Sequence, residues 1–208
     1  MTSEQKKRTL AKNTNSIYPF NHMLIRENKI THSIIFFAAK SNNKVINRLK
    51  LMKLLWLADR IHINRYGRLI LKDKYNALPH GSVPSYTMDL SKETLEGYFE
   101  VVGYNIKALI EFDEKYFSKS DIEVMEEVWK TYGKKGKFEL RDLSHKFPEW
   151  IRFEDYINNK NLPNSYPENV ADFFDKPLID NFPFDENRVN ISKSIYHSFS
   201  TIQTSLTE

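Results

Sequence analysis

Asp59 and Arg60 are the most suggestive charged neighbours in this 208-residue chain, because they interrupt a segment, 47–66, that is otherwise widely apolar. Burying a charge without a partner is costly, so each must reach solvent, a counter-charge or a binding partner. Two readings follow. The pair either braces the fold, through the region Lys72 to Tyr75 or the turn Ser82–Pro84, or makes a polar contact in a protein-binding surface. A second cluster, His80-Gly81-Ser82 with Ser85 and Asp89, places imidazole, hydroxyl and carboxylate groups close together in sequence. Serine nucleophiles need a strained turn, a base and an oxyanion hole, as in Gly-x-Ser-x-Gly, and that elbow is absent. Ser82 is therefore expected to cap a helix entered at Pro84, its side-chain oxygen accepting from a free backbone N–H.

The six histidines, at 22, 32, 62, 80, 145 and 197, show no pair at metal-ligand spacing and no His-Glu-x-x-His. Lys134-Lys135-Gly136-Lys137 is basic but lacks Walker spacing, and no Gly-x-Gly-x-x-Gly occurs. Without cysteine the chain has no disulfide, thiolate zinc site or cysteine nucleophile. The expectation is no catalytic residue, no metal and no cofactor. Trp56, Trp129 and Trp150 lie on or beside helices; Trp129 reads as core, while Trp150, after Pro148, is a surface candidate.

The elements that must position these groups read as mainly helical. An apolar run, Ile34 to Ala39, suggests a short interior helix capped at Thr31 and ending near Lys40. Leu51, Leu54, Leu55, Ala58 and Ile61 recur at helical spacing, with Leu49, Met52, Trp56 and Leu57 widening the face. That predicts a helix over 47–66 packed on several sides and ended by a left-handed Gly67. Leu69-Ile70-Leu71 and Tyr75 to Leu78 predict a hairpin turning at Lys72-Asp73-Lys74, then a short helix through Met88 and Leu90. A second hairpin is expected over 98–112 about Gly103. Ser118 to Asp121 resembles a capping box opening a helix that Gly133 ends, and 139–146 forms another short helix. Beyond 155, asparagines and prolines mark a loop, Phe173, Phe174, Phe182 and Phe184 an irregular strap, and 189–199 a closing amphipathic piece.

The fold class expected is mainly α: a compact multi-helix domain with a small β-hairpin element and an irregular C-terminal extension. The division expected is a flexible basic arm over 1–18, carrying Lys6, Lys7, Arg8 and Lys12, a domain over 19–155, and an extension over 156–208 packing on it. Hydrophobic residues are 40% of the chain, enough for a sizeable core, and the net charge is only +4. A dedicated nucleic-acid binder usually carries a denser basic stripe. No run approaches the ~18–20 apolar residues of a membrane helix, and the start lacks a signal-peptide pattern, so a cytoplasmic protein is expected.

The series Lys50-Leu51-Met52-Lys53-Leu54-Leu55-Trp56-Leu57-Ala58-Asp59-Arg60, then Tyr66-Gly67, Tyr75 and Gly81-x-Val83-Pro84, resembles the signature region of Panacea domains, the group that includes SocA-like antitoxins. Leu140-x-x-Leu143-Ser144-His145 with Glu149-Trp150 resembles the end of that domain. The likeness spans about residues 32–155. Its turn usually reads Gly-Pro-Val, where this chain has Gly81-Ser82-Val83. The resemblance implies a mostly helical fold with a small β element and an antitoxin that binds a toxin encoded by an adjacent gene, in some relatives as an adaptor to a cellular protease. The candidate protein-binding residues are Trp56, Asp59, Arg60, His80, Ser82, Tyr86 and Trp150. The alternative is a DNA-binding regulator of its own operon, since helices 119–132 and 139–146 flank a basic turn in the manner of a helix-turn-helix.

Overall fold

The structure, a computed structural model, describes residues 17–180 and 182–205, with side chains from 25 to 180 and 182 to 199. All but the last two residues of the expected N-terminal arm lie outside it. The first helix, α1, spans Ile17–Ala39. It is much longer than the short helix expected from Thr31, which sits in its middle and is buried. Ile30, Ile34, Ile35 and Phe37 are fully enclosed, so this part of α1 is apolar all round and interior. Pro19 falls in the first turn, where its missing N–H is harmless.

Helix α2 (Arg48–Tyr66) runs through the centre. The Asn47 side chain caps it by accepting from the Leu49 amide, and Gly67 ends it at φ 68°, as the sequence predicted. Every residue from Leu51 to Asn64 is buried, which is why its apolar positions exceed a single stripe. Around it pack α4 (Lys119–Tyr132), α5 (Lys137–Ser144) and α8 (Glu186–Ser205). Ser118 and Asp121 close the expected capping box on α4. Helix α5 begins two residues before the expected start, because the Glu139 side chain accepts from the Gly136 amide.

Two small antiparallel sheets flank this bundle. One has the order β1-β5-β4, from Val45–Asn47, Asn105–Ala108 and Phe99–Val102, and contains the hairpin expected about Gly103. The other has the order β3-β2-β6, from Gly81–Pro84, Tyr75–Leu78 and Tyr166–Pro167. Here the sequence reading needs correction. Leu69-Ile70-Leu71 is not a strand: the amides of Ile70 and Leu71 donate to the Asp59 carboxylate, so they are spent before any ladder can form. The hairpin instead pairs Tyr75 with Pro84 and Leu78 with Gly81 across Pro79-His80.

Helix α3 (Ser85–Leu90) follows directly. Ser82 does not cap it. Asp73 does, accepting from the Tyr86 and Thr87 amides and the Thr87 hydroxyl. Short helices α6 (Pro148–Ile151) and α7 (Glu154–Asn158) lead into the strap, which forms a 3₁₀ turn at Val170–Phe174. Phe173, Phe174 and Phe182 join the same core as α1 and α2. The architecture is helix-dominated with two three-stranded sheets, where two hairpins were expected; β1 and β6 supply the third strands. Among the described residues no helix is long and apolar enough to cross a membrane.

Candidate functional site

Five polar positions of α2 point the chemistry of this molecule inward, His62 among them. Lys53, Asp59, Arg60 and Asn64 are each at most 3% exposed. Asp59 gathers the loop after the helix: its carboxylate accepts from the Ile70 and Leu71 amides and from the Tyr75 hydroxyl. Burial pushes its carboxyl up to about 6, against the opposing pull of the hydrogen bonds from Tyr75, Leu71 and Ile70. The sequence reading of Asp59 as a brace toward Tyr75 therefore has the right target, with hydrogen bonds in place of an ion pair.

Arg60 and its neighbours form a second, larger network. The guanidinium Nε donates to Glu149 Oε1 at 3.1 Å, Nη1 to Asn64 Oδ1 at 2.7 Å, and Nη2 to the Asp175 carbonyl. Asn64 Nδ2 in turn donates to the Phe173 carbonyl at 2.6 Å. The aromatic faces of Phe147 and Phe173 lie 5.4 and 5.7 Å from the guanidinium carbon. A buried pair of this kind is weakly stabilising overall, but removing one partner strands the other charge at about 3–5 kcal/mol. Burial raises the Glu149 carboxyl while Arg60 pulls it back.

Two turns before Arg60 on α2, Lys53 Nζ donates to the Ser82 carbonyl at 2.6 Å, and Ser82 Oγ donates to Glu168 Oε1 at 2.5 Å. Burial drives both ionisable groups toward neutrality: Lys53 is lowered to about 7 and Glu168 raised to about 8. The Glu168 amide bonds the Tyr75 carbonyl, so the residue ties the strap to strand β2 as well. Gly81 lies against this junction at φ 84°, where a Cβ would meet Ser144 Oγ at 1.9 Å. Only a glycine fits there. Nearby, His145 stacks on Trp150 at 3.7 Å, and burial lowers its imidazole to about 4.

Asp121 organises a third cluster, from Lys29, His62 and Arg68. Burial alone would raise its carboxyl, but hydrogen bonds from His62, Lys29 and the Ser118 amide outweigh that and hold it far below the ordinary range.

The seven candidate residues divide sharply by position. Trp56, Asp59, Arg60, Ser82 and Trp150 are all buried, and in this conformation they present no surface. Trp150, read as a surface candidate, instead donates its indole N–H to the Leu78 carbonyl. Trp129, expected in the core, packs at its edge and is partly exposed. His80 is exposed at the hairpin turn, and Tyr86 is half-buried, its hydroxyl donating to Glu27. Sequence reasoning missed Lys53, Asn64, Glu149 and Glu168. The signals were a lysine and an asparagine in an apolar helix, and the presence of Lys53 and Glu149 in the quoted motifs. Among the described residues, no three His, Cys, Asp or Glu side chains are grouped to hold a metal ion.

Fold and network together define a helical scaffold domain whose interior charges are bound to one another and to the backbone. By comparison, residues 51–151 match the family described as antitoxin SocA-like, Panacea domain. No curated protein and no solved structure matches the chain.

Proposed function

We propose that this protein is the antitoxin of a toxin–antitoxin pair and neutralises its toxin by direct contact. The observation that carries the reading is the SocA-like Panacea match over 51–151, which contains all but the first three residues of α2 and the Gly81 hairpin. The polar geometry supports a binding role over an enzymatic one. Ser82 Oγ is buried against Glu168 while His80 stands exposed, so hydroxyl and imidazole do not form a nucleophile–base pair. Asp59 and Arg60 are occupied by protein groups. Of the seven candidate residues, His80 and Tyr86 are offered as direct contacts, and the buried five act by shaping the surface. The toxin is the product of an adjacent gene, and delivery to a cellular protease is the finer form of this reading.

The test is co-expression with each neighbouring gene product. Growth arrested by one of them and restored by this chain, with a complex isolated from the same cells, is the expected result. If no neighbouring product is both toxic and rescued, the reading falls. The DNA-binding alternative rests on α4 and α5, but α5 turns Leu140 into the core and exposes Glu139 and Asp142, which repel phosphates. A gel shift on the upstream promoter at low and high salt tests it.

A further inference from the structure

Helix α8 lies outside the matched segment and carries a surface that the fold leaves uncovered. Its inner side, through Val189 and Ser192, packs on the body of the domain. Ile191, Ile195 and Phe199 follow at i, i+4 and i+8 and are 58%, 38% and 63% exposed. Between them, the hydroxyls of Ser194 and Ser198 donate to the carbonyls of Asn190 and Ser194, at 3.1 and 2.9 Å. With those hydroxyls satisfied internally, the face is effectively apolar over more than two turns. It continues into a groove of about 420 Å³ lined by Leu69, Val170, Tyr196 and Phe199, with Arg68, Lys72 and Asp73 as its charged residues.

The charges free to meet a partner at this face are basic. On α8, Arg188 stands one turn before Ile191 on the same side, while Glu186 and Lys193 lie round the other side of the helix. Lys72, on the groove, is exposed and joins no ion pair among the described residues, whereas the Asp73 carboxylate is consumed in capping α3. We infer that this face and groove dock an amphipathic helix of a protein partner, apolar on one side and flanked by Asp or Glu. An apolar helix face satisfies Ile191, Ile195 and Phe199, and acidic flanks complement Arg188 and Lys72. A second copy of the chain is the poorer occupant, because pairing α8 with itself sets these cations against one another.

The identification of that partner as the toxin rests on the antitoxin reading; the docking surface itself does not. The experiment measures anisotropy of two labelled synthetic helical peptides with the same leucine face, one flanked by Glu and the other by Lys. The full-length chain is compared with the double variant Ile191→Ser, Phe199→Ser. Both side chains are exposed, so thermal denaturation should show an unchanged midpoint. Expected is binding of the Glu peptide, weakened by salt, with at least tenfold loss for both the Lys peptide and the double variant. Equal binding of the two peptides, or no binding, overturns the proposal. So does sedimentation showing a wild-type dimer that the variant abolishes, or binding to phosphatidylglycerol vesicles in preference to the peptide. In the co-expression assay, rescue by wild type and not by the double variant joins this surface to the toxin. Rescue by both removes it from toxin binding, and rescue by neither defeats the antitoxin reading while the peptide result still decides the surface.

Discussion

Asp59 shows why a carboxylate belongs in the middle of a buried helix. Two backbone amides and a tyrosine hydroxyl would otherwise be enclosed without acceptors, each at about 1–3 kcal/mol. Asp59→Ala is therefore expected to destabilise the chain by roughly 3–5 kcal/mol, and Tyr75→Phe by about 1–2 kcal/mol, both measured by denaturant unfolding. An alanine variant within 1 kcal/mol of wild type would remove Asp59 from the list of residues that hold the fold. Glu168 gives a pH signature instead. Its folded pKa, raised by burial to about 8 from 4.5, means the folded state holds the proton more tightly. Its contribution is complete below pH 4.5 and is lost as pH rises through 8. Lys53 has the opposite sign: lowered to about 7 from 10.5, it contributes fully above 10.5 and loses that as pH falls through 7. Glu168→Gln keeps an acceptor for Ser82 and cannot ionise. Relative to wild type, the variant should gain stability steadily between pH 5 and 8, at about 1.4 kcal/mol per unit of pKa difference. A pH-independent gap between the two unfolding curves would contradict this.

At the scale of elements, Gly67 joins two helices by having no side chain. Its φ of 68° ends α2, and a Cβ there would lie 2.6 Å from the Ser192 carbonyl and 2.9 Å from Ile195 on α8. Gly67→Ala should cost more than the roughly 1 kcal/mol of a left-handed alanine, because α8 must also move away. Hydrogen exchange is expected to accelerate in α8 and in the last turn of α2, and to stay unchanged in the β4–β5 hairpin. Uniform protection would show that α8 does not depend on this approach. What could be read from the chain beforehand follows the same division between local and distant. Helix α2 with its Asn47 and Gly67 caps, the capping box of α4 and the turn at Gly103 announce themselves within a few residues, because spacing and caps are local. The β2–β3 register was misread because Leu69-Ile70-Leu71 has the composition of a strand, while the carboxylate that claims its amides lies about ten residues upstream. Trp150 looked exposed for the same reason, its carbonyl partner being 72 residues away. Glu168 belongs to no motif, and Glu149 stands in one that says nothing of its partner; only the fold brings them to Ser82 and Arg60.

For the whole molecule, the question is whether the matched segment can fold by itself. The core ties it to both flanking segments. Ile30, Ile34, Ile35 and Phe37 precede residue 51, and Phe173, Phe174 and Phe182 follow residue 151, yet all belong to one cluster with Leu54, Leu57 and Ile61. Polar partners cross the same limits: Asn64 needs the Phe173 carbonyl, Arg60 the Asp175 carbonyl and Ser82 the Glu168 carboxylate. Truncating one buried phenylalanine costs about 3–5 kcal/mol, and a domain of this size is stable by only about 5–15 kcal/mol. Losing three at once, together with those acceptors, is comparable to the whole margin. We therefore propose that the segment beyond 155 completes the core and is no detachable appendage. Fragments 51–151 and 19–155 are expected to lack a cooperative thermal transition and to give collapsed proton–nitrogen correlation spectra, while the full chain unfolds in one step. A cooperative transition in fragment 19–155 would make the extension a separate layer. The surface on α8 would then have to be studied as part of that layer and not of the Panacea domain.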